Sequence, residues 1–169
     1  LADTGQTVAV ARRVQDSLGT PAAVIHNAGV VERARIVDTT PGSLARQLAV
    51  NLTAPFLITR EWLPSMLERR SGRLVFVGSI SSTLGSAGAA AYCASKWGLV
   101  GFVKSLAEEV SDHGLMAVAV LPGSVDTTML AGSGFSPRMT PADVASTLVH
   151  YALEAPLAHN GGVIEMFGV

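Results

Sequence analysis

The sequence predicts an α/β fold built on a doubly wound parallel sheet, and three observations carry that prediction. Short apolar runs at residues 22–25, 73–78, 115–121 and 162–167 are rich in Val, Ile, Leu and Ala and lack alternation, as strands buried on both faces do. Longer segments at 3–18, 40–70, 90–111 and 140–154 separate them and carry apolar residues at helical spacing. Helices and strands alternate from start to finish with no internal repeat or low-complexity tract, the pattern of parallel βα units.

Each element has its own local cause. Asp3-Thr4 caps a first amphipathic helix through Val8, Ala11, Val14 and Leu18, and Gly19 ends it. The run 22–25 ends in His26-Asn27-Ala28-Gly29, where small residues let the backbone approach a flat ligand and the Asn27 side chain can pin the strand to its neighbour. A plain turn also satisfies these four residues. Thr40-Pro41 supplies an N-cap and first helical position for the segment 40–70. Pro55 lacks an N–H, so the Asn51 carbonyl four residues earlier loses its helical partner, a kink is expected, and the freed carbonyl can hold a water. Pro64 is expected to disturb the same helix again. After the helix 90–111, Gly114 breaks the pattern, the run 115–121 closes in Pro122-Gly123-Ser124-Val125-Asp126-Thr127, and Thr140-Pro141 caps the last helix.

Composition limits the functional classes. The chain has 169 residues, 49% hydrophobic and 15% charged, enough apolar material for one domain with a core. A net charge of −1 offers no basic patch for nucleic acid, and the longest apolar run, 115–121, is far short of the ~20 residues of a spanning helix. The single cysteine, Cys93, rules out an internal disulfide and suggests a reducing, cytoplasmic compartment; a small buried helix residue is its expected role. His26, His113, His150 and His159 lack metal-ligand spacing, so no metal site is expected.

The chemistry concentrates in residues 79–96. Ser79 stands at the carboxyl end of a predicted strand, where open α/β sheets bind ligands. Tyr92 and Lys96 lie one turn apart on the helix that follows. Lowering a phenol from pKa ~10 toward 7 needs about 4 kcal/mol of preference for the phenolate. An ammonium about 5 Å away supplies roughly 3 kcal/mol at an effective dielectric of ~20. On this reading Lys96 does most of the tuning, Tyr92 is an acid/base near working pH, and Ser79 holds a carbonyl or alcohol oxygen. The Tyr-x-x-x-Lys pair alone is compatible with ordinary helix residues; the serine upstream on the right element favours a reaction centre.

Taken in order, these motifs resemble the short-chain dehydrogenase/reductase family along nearly the whole chain. The resemblance implies a Rossmann-like fold and NAD or NADP as cofactor. It makes Asn51, Ser79, Tyr92 and Lys96 catalytic, with a relay water on the Asn51 carbonyl. Cofactor contacts would come from Asn27, Ala28, Gly29, Tyr92, Lys96, Pro122, Gly123, Val125 and Thr127. The implied reaction passes hydride between the nicotinamide and a carbonyl or alcohol carbon, while Tyr92 moves the oxygen-bound proton. Substrate would lie against Ser79, Ile80, Ser81, Leu84, Ala89 and the loop 128–139, whose small or apolar character suggests a modest uncharged molecule. The long helices, with Trp62, Trp97 and Phe102 on their faces, would pair across a two-fold axis into a homodimer or homotetramer.

The sequence also departs from the family pattern. His26 replaces an asparagine, and Trp97 is large for its position, suiting helix packing or a subunit contact. No glycine-rich phosphate loop is found; Gly132-Ser133-Gly134 lacks the third glycine and the strand-to-helix position. The expectation is that the chain is the C-terminal two-thirds of such a domain, with roughly two βα units, on the order of 60 residues, before Leu1. Expressed alone from Leu1 it would then neither bind NAD(P) tightly nor turn over. The segment that selects NAD or NADP is not in the sequence. A sugar-nucleotide epimerase or dehydratase, or a non-catalytic protein retaining the fold, are the alternatives.

Overall fold

A computed structural model describes residues 1–168. Four strands, β1 (Ala23–His26), β2 (Gly72–Val77), β3 (Leu115–Pro122) and β4 (Val163–Met166), form one parallel sheet in the order β1-β2-β3-β4. Val24 faces Leu74, Leu74 faces Ala117, and Ala119 faces Val163 across the sheet. Every residue of β3 is buried, which is why its sequence is continuously apolar.

Five helices surround the sheet: α1 (Thr4–Leu18), α2 (Pro41–Leu48), α3 (Ala54–Arg69), α4 (Ala90–Val110) and α5 (Pro141–Leu153). Their starts follow the expected caps. Asp3 accepts from the Gln6 N–H at 2.8 Å, Thr40 from the Ser43 N–H at 3.1 Å, and Thr140 exchanges hydrogen bonds with Asp143. On one face, Leu74, Phe76, Leu115, Ala117, Ala119 and Leu121 pack with Met66 of α3 and Leu99, Val103 and Leu106 of α4. On the other, Val75, Met116, Val118 and Val120 pack with Val144, Leu148 and Ala152 of α5.

This arrangement has a topological consequence. The connections from β1 to β2 and from β2 to β3 step the same way along the sheet, with α3 and α4 on the same face. The connection from β3 to β4 steps the same way again, but α5 lies on the opposite face. Its crossover therefore has the opposite hand. Since right-handed crossovers prevail almost universally, the α5 unit is the exception.

The long helix predicted over 40–70 is continuous, and its regular α geometry breaks just ahead of Pro55. Between α2 and α3 it widens into a π turn over Ala49–Thr53, so the missing proline N–H is absorbed by a locally wider turn. Pro64 does not interrupt α3. Pro64 and Arg60, whose carbonyl it deprives of a partner, both lie on the exposed side, where water can take the bond. Trp62 does not face outward: its Nε1 donates to the Ala11 carbonyl at 2.9 Å, and α1 covers it. Cys93 is half-buried rather than buried.

Candidate active site

An open parallel sheet offers its ligand crevice at the carboxyl ends of the strands, and the predicted reaction centre lies there, at the end of β2. Ser79 follows β2 and begins a short 3-10 turn, Ile80–Ser82; its Oγ accepts from the Ser81 N–H at 3.1 Å, and its own N–H donates to Ser82 Oγ at 3.2 Å. These bonds fix the serine backbone, a rigid mount for its hydroxyl. Tyr92 occupies the first turn of α4, where helix dipoles favour negative charge, and Lys96 follows one turn later. Both are buried, and Lys96 Nζ lies 5.8 Å from the Tyr92 ring centroid.

Lys96 is anchored by the sheet. Its Nζ donates to the Val77 carbonyl, the last of β2, at 2.7 Å, which leaves two of its three N–H donors for a ligand. Burial lowers its pKa to about 8. For Tyr92 the balance differs from the sequence expectation. Burial raises its pKa above the ordinary phenol value and outweighs the Ser79 hydroxyl and the Arg33 charge, both of which favour the phenolate. Lys96 alone therefore does not bring the phenol toward 7, because desolvation of the phenolate inside the crevice opposes it.

Asn51 is held by its side chain, a role the sequence reading did not assign. From the π turn, its Oδ1 accepts from the Val30 N–H at 2.8 Å, and its Nδ2 donates to the Val30 carbonyl and to Ser95 Oγ, both at 2.9 Å. Ser95 Oγ in turn donates to the Tyr92 carbonyl at 2.7 Å. One buried amide thus ties the segment after β1 to the first turn of α4. The pinning expected of Asn27 falls to Asn51; Asn27 is exposed, and its side chain makes no hydrogen bond among the described residues.

The remaining predicted positions divide by exposure. A Cβ on Gly29 would meet Asn51 Oδ1 at 3.4 Å and Lys96 Nζ at 3.6 Å, so this glycine lies against the reaction centre. Gly123, after Pro122, donates its N–H to the Met166 carbonyl at 2.8 Å, and Val125 bridges to Met139. Ala89 is buried just ahead of α4, and Ile80 and Ser81 are half-buried. Ala28, Leu84 and Thr127 are exposed. Ser95 and Arg33 are the residues that the sequence reading missed. Ser95 carried a signal in retrospect, three residues after Tyr92 on the same helix face; Arg33 carried none.

Comparison with known proteins bears on the family and the fold. A family model described as short chain dehydrogenase matches residues 1–135. Nodulation protein G from Rhizobium meliloti (strain 1021) is 34% identical over 129 residues, 76% of this chain and 53% of that protein. The 3-oxoacyl-(acyl-carrier-protein) reductase FabG from Vibrio cholerae is 34% identical over 121 residues, 72% of this chain and 50% of that protein. The chain spans about half the length of these curated relatives. The solved structure of 4-hydroxyisoleucine dehydrogenase complexed with NADH superposes with a TM-score of 0.90 at 22% identity, over 99% of this chain and 77% of that one, and so shares the fold. With the family model covering most of its length and the Ser79, Tyr92 and Lys96 side chains gathered at the ends of a parallel sheet, this chain belongs to the short-chain dehydrogenase/reductase family.

Proposed function

We propose that this protein is the catalytic part of an NAD(P)-dependent oxidoreductase acting on a carbonyl or alcohol substrate, with Tyr92 as its acid/base. The observation that carries the reading is the convergence of Ser79, Tyr92 and Lys96 at the carboxyl end of β2, with Asn51 fixing the first turn of α4. The residues present suit the nicotinamide half of a dinucleotide. Gly29 leaves open the space beside Asn51 and Lys96 that a Cβ would fill, and the Lys96 ammonium keeps two donors for ribose hydroxyls. When bound, that cofactor supplies or accepts the hydride.

The side chains do the rest. Ser79 donates a hydrogen bond to the substrate oxygen and holds it beside the Tyr92 hydroxyl. Tyr92 gives that oxygen a proton in reduction and takes one in oxidation. Because burial raises the phenol, the neutral donor is its resting form, and a nearby cation favours the phenolate as the proton leaves. Asn51 and Ser95 keep the first turn of α4 in register with the segment after β1. We further infer a cytoplasmic enzyme that assembles as a homodimer or homotetramer through α3 and α4, where Phe56 and Trp97 are 47% and 52% exposed.

The test is Tyr92→Phe in the full-length protein, followed by nicotinamide fluorescence with a panel of ketones. Turnover should fall by about 100-fold or more, with cofactor affinity kept, because only the proton-transfer group is lost. A variant that retains most of the kcat would refute the assignment.

A further inference from the structure

Two loops meet over the Tyr92 end of the crevice, and one side chain joins them. The segment after β1 is tied to the start of α4: the Ala34 N–H donates to the Gly88 carbonyl at 2.9 Å, and Ala34 bridges to Ala89, three residues ahead of Tyr92. One residue earlier the chain reaches the other way. Arg33 Nη2 donates to the Met129 carbonyl at 3.3 Å, in the 3-10 turn Thr128–Leu130 that follows β3. Arg33 thus links the segments that follow β1 and β3, and its charge is felt at the Tyr92 phenol.

The charged residues on either side of Arg33 in the sequence are already paired. Arg35 holds Asp38 at 2.6 Å, and Glu32 is held by Arg46 at 3.2 Å. In β4, the Glu165 carboxylate accepts from Thr83 Oγ1 at 2.7 Å. Among the described residues Arg33 has no carboxylate within ion-pair reach, and only one of its N–H donors is used, in a long bond. A guanidinium offers a planar fork of donors that matches a carboxylate or phosphate. The predicted substrate residues Ile80, Ser81, Leu84 and Ala89 carry no charge, and Arg33 is brought next to them by the Ala34–Ala89 bridge, where it can supply the recognition of an anion.

We propose that Arg33 determines specificity by binding an oxoanion, carboxylate or phosphate, on a substrate whose reacting carbon lies against Tyr92. This rests on reading the crevice as an oxidoreductase site. It replaces the uncharged substrate expected from the apolar wall with an amphipathic one, apolar along the wall and anionic at the mouth. The oxoanion takes the donors that Arg33 leaves unused, and the Met129 bond holds the side chain across the opening before substrate arrives.

The test compares paired probes on the full-length protein: acetoacetate against its methyl ester, and dihydroxyacetone phosphate against dihydroxyacetone. The pair with the larger preference identifies the oxoanion as carboxylate or phosphate. In Arg33→Gln the ratio of kcat/KM for the anionic over the neutral member should fall by about 30-fold, and Arg33→Lys should recover part of it. Calorimetric titration with the same anions separates this proposal from the activity it rests on. Anion binding that is lost in Arg33→Gln upholds the proposal even without turnover, in which case the oxidoreductase reading fails instead. An unchanged ratio, or anion binding indifferent to Arg33→Gln, overturns it.

Discussion

His26 shows how a single residue couples position to pH. It ends β1 buried, with Nε2 3.1 Å from Thr59 Oγ1 and its ring stacked on Phe76 at 4.6 Å. Burial lowers its pKa from 6.5 to about 4. Between those values the unfolded chain binds a proton that the folded one does not, so stability rises with pH across this window and is lost as pH falls through it. The full penalty is about 3 kcal/mol. We expect urea midpoints to drop between pH 6.5 and 4, and His26→Asn, a neutral hydrogen-bonding group, to flatten that limb; an unaltered acid limb would contradict the assignment. Lys96 was legible in sequence because its spacing from Tyr92 is fixed by helix geometry. The buried amide of Asn51 was only half legible: the proline four residues on drew attention to its carbonyl, but which way the side chain points depends on a π turn that no propensity announces. Arg33 was invisible, since its meaning depends on a loop 96 residues away.

Among the elements, the turns at the amino end of the sheet are the least forgiving. Arg70 closes α3 at φ 51°, the one left-handed residue other than glycine among the described residues, and Gly114, at φ 74°, leads from α4 into β3 against it. A Cβ on Gly114 would meet the Arg70 carbonyl oxygen at 2.5 Å, so that turn cannot accept a side chain without moving α3. Gly132 has a similar φ of 73° but open space around it. Gly132→Ala should therefore cost about 1 kcal/mol, the left-handed penalty alone. Gly114→Ala should cost about 3 kcal/mol or more, because overpacking is added to it. Equilibrium unfolding in urea measures both, and equal losses would show that the crowding at Gly114 is relieved elsewhere. Caps and strands were legible because their causes are local, as with Thr140 and Asp143. Pro64 misled because its effect depends on which side of α3 faces water.

For the whole molecule, the exposed apolar residues of α3 and α4 make the decisive test of assembly. Phe56 packs at a tilt against Phe102 with ring centroids 5.1 Å apart and is itself half exposed, and Trp97 stands out from the next helix. If these faces pair between copies, Trp97→Glu with Phe56→Ser should shift light-scattering mass to that of a monomer, whereas an unshifted mass would place the interface elsewhere. The parallel sheet was readable from the alternation of short apolar runs, whereas the order of its strands came only with the structure. The reversal of hand at α5 was not, because nothing in its apolar stripe says which side of the sheet it will cover. That reversal dictates a route. After β3 the chain emerges at the carboxyl edge and must pass to the face opposite α4 before α5 can begin, so residues 123–140 travel over the opening in irregular structure. The two ends of this detour stay tied down, with Val125 against the core and Met139 buried, but the stretch 131–138 between them is almost wholly exposed and can be exchanged at little cost to the sheet. If Arg33 reads the substrate as proposed, changes on that detour, where Met129 meets Arg33, would shift substrate choice first.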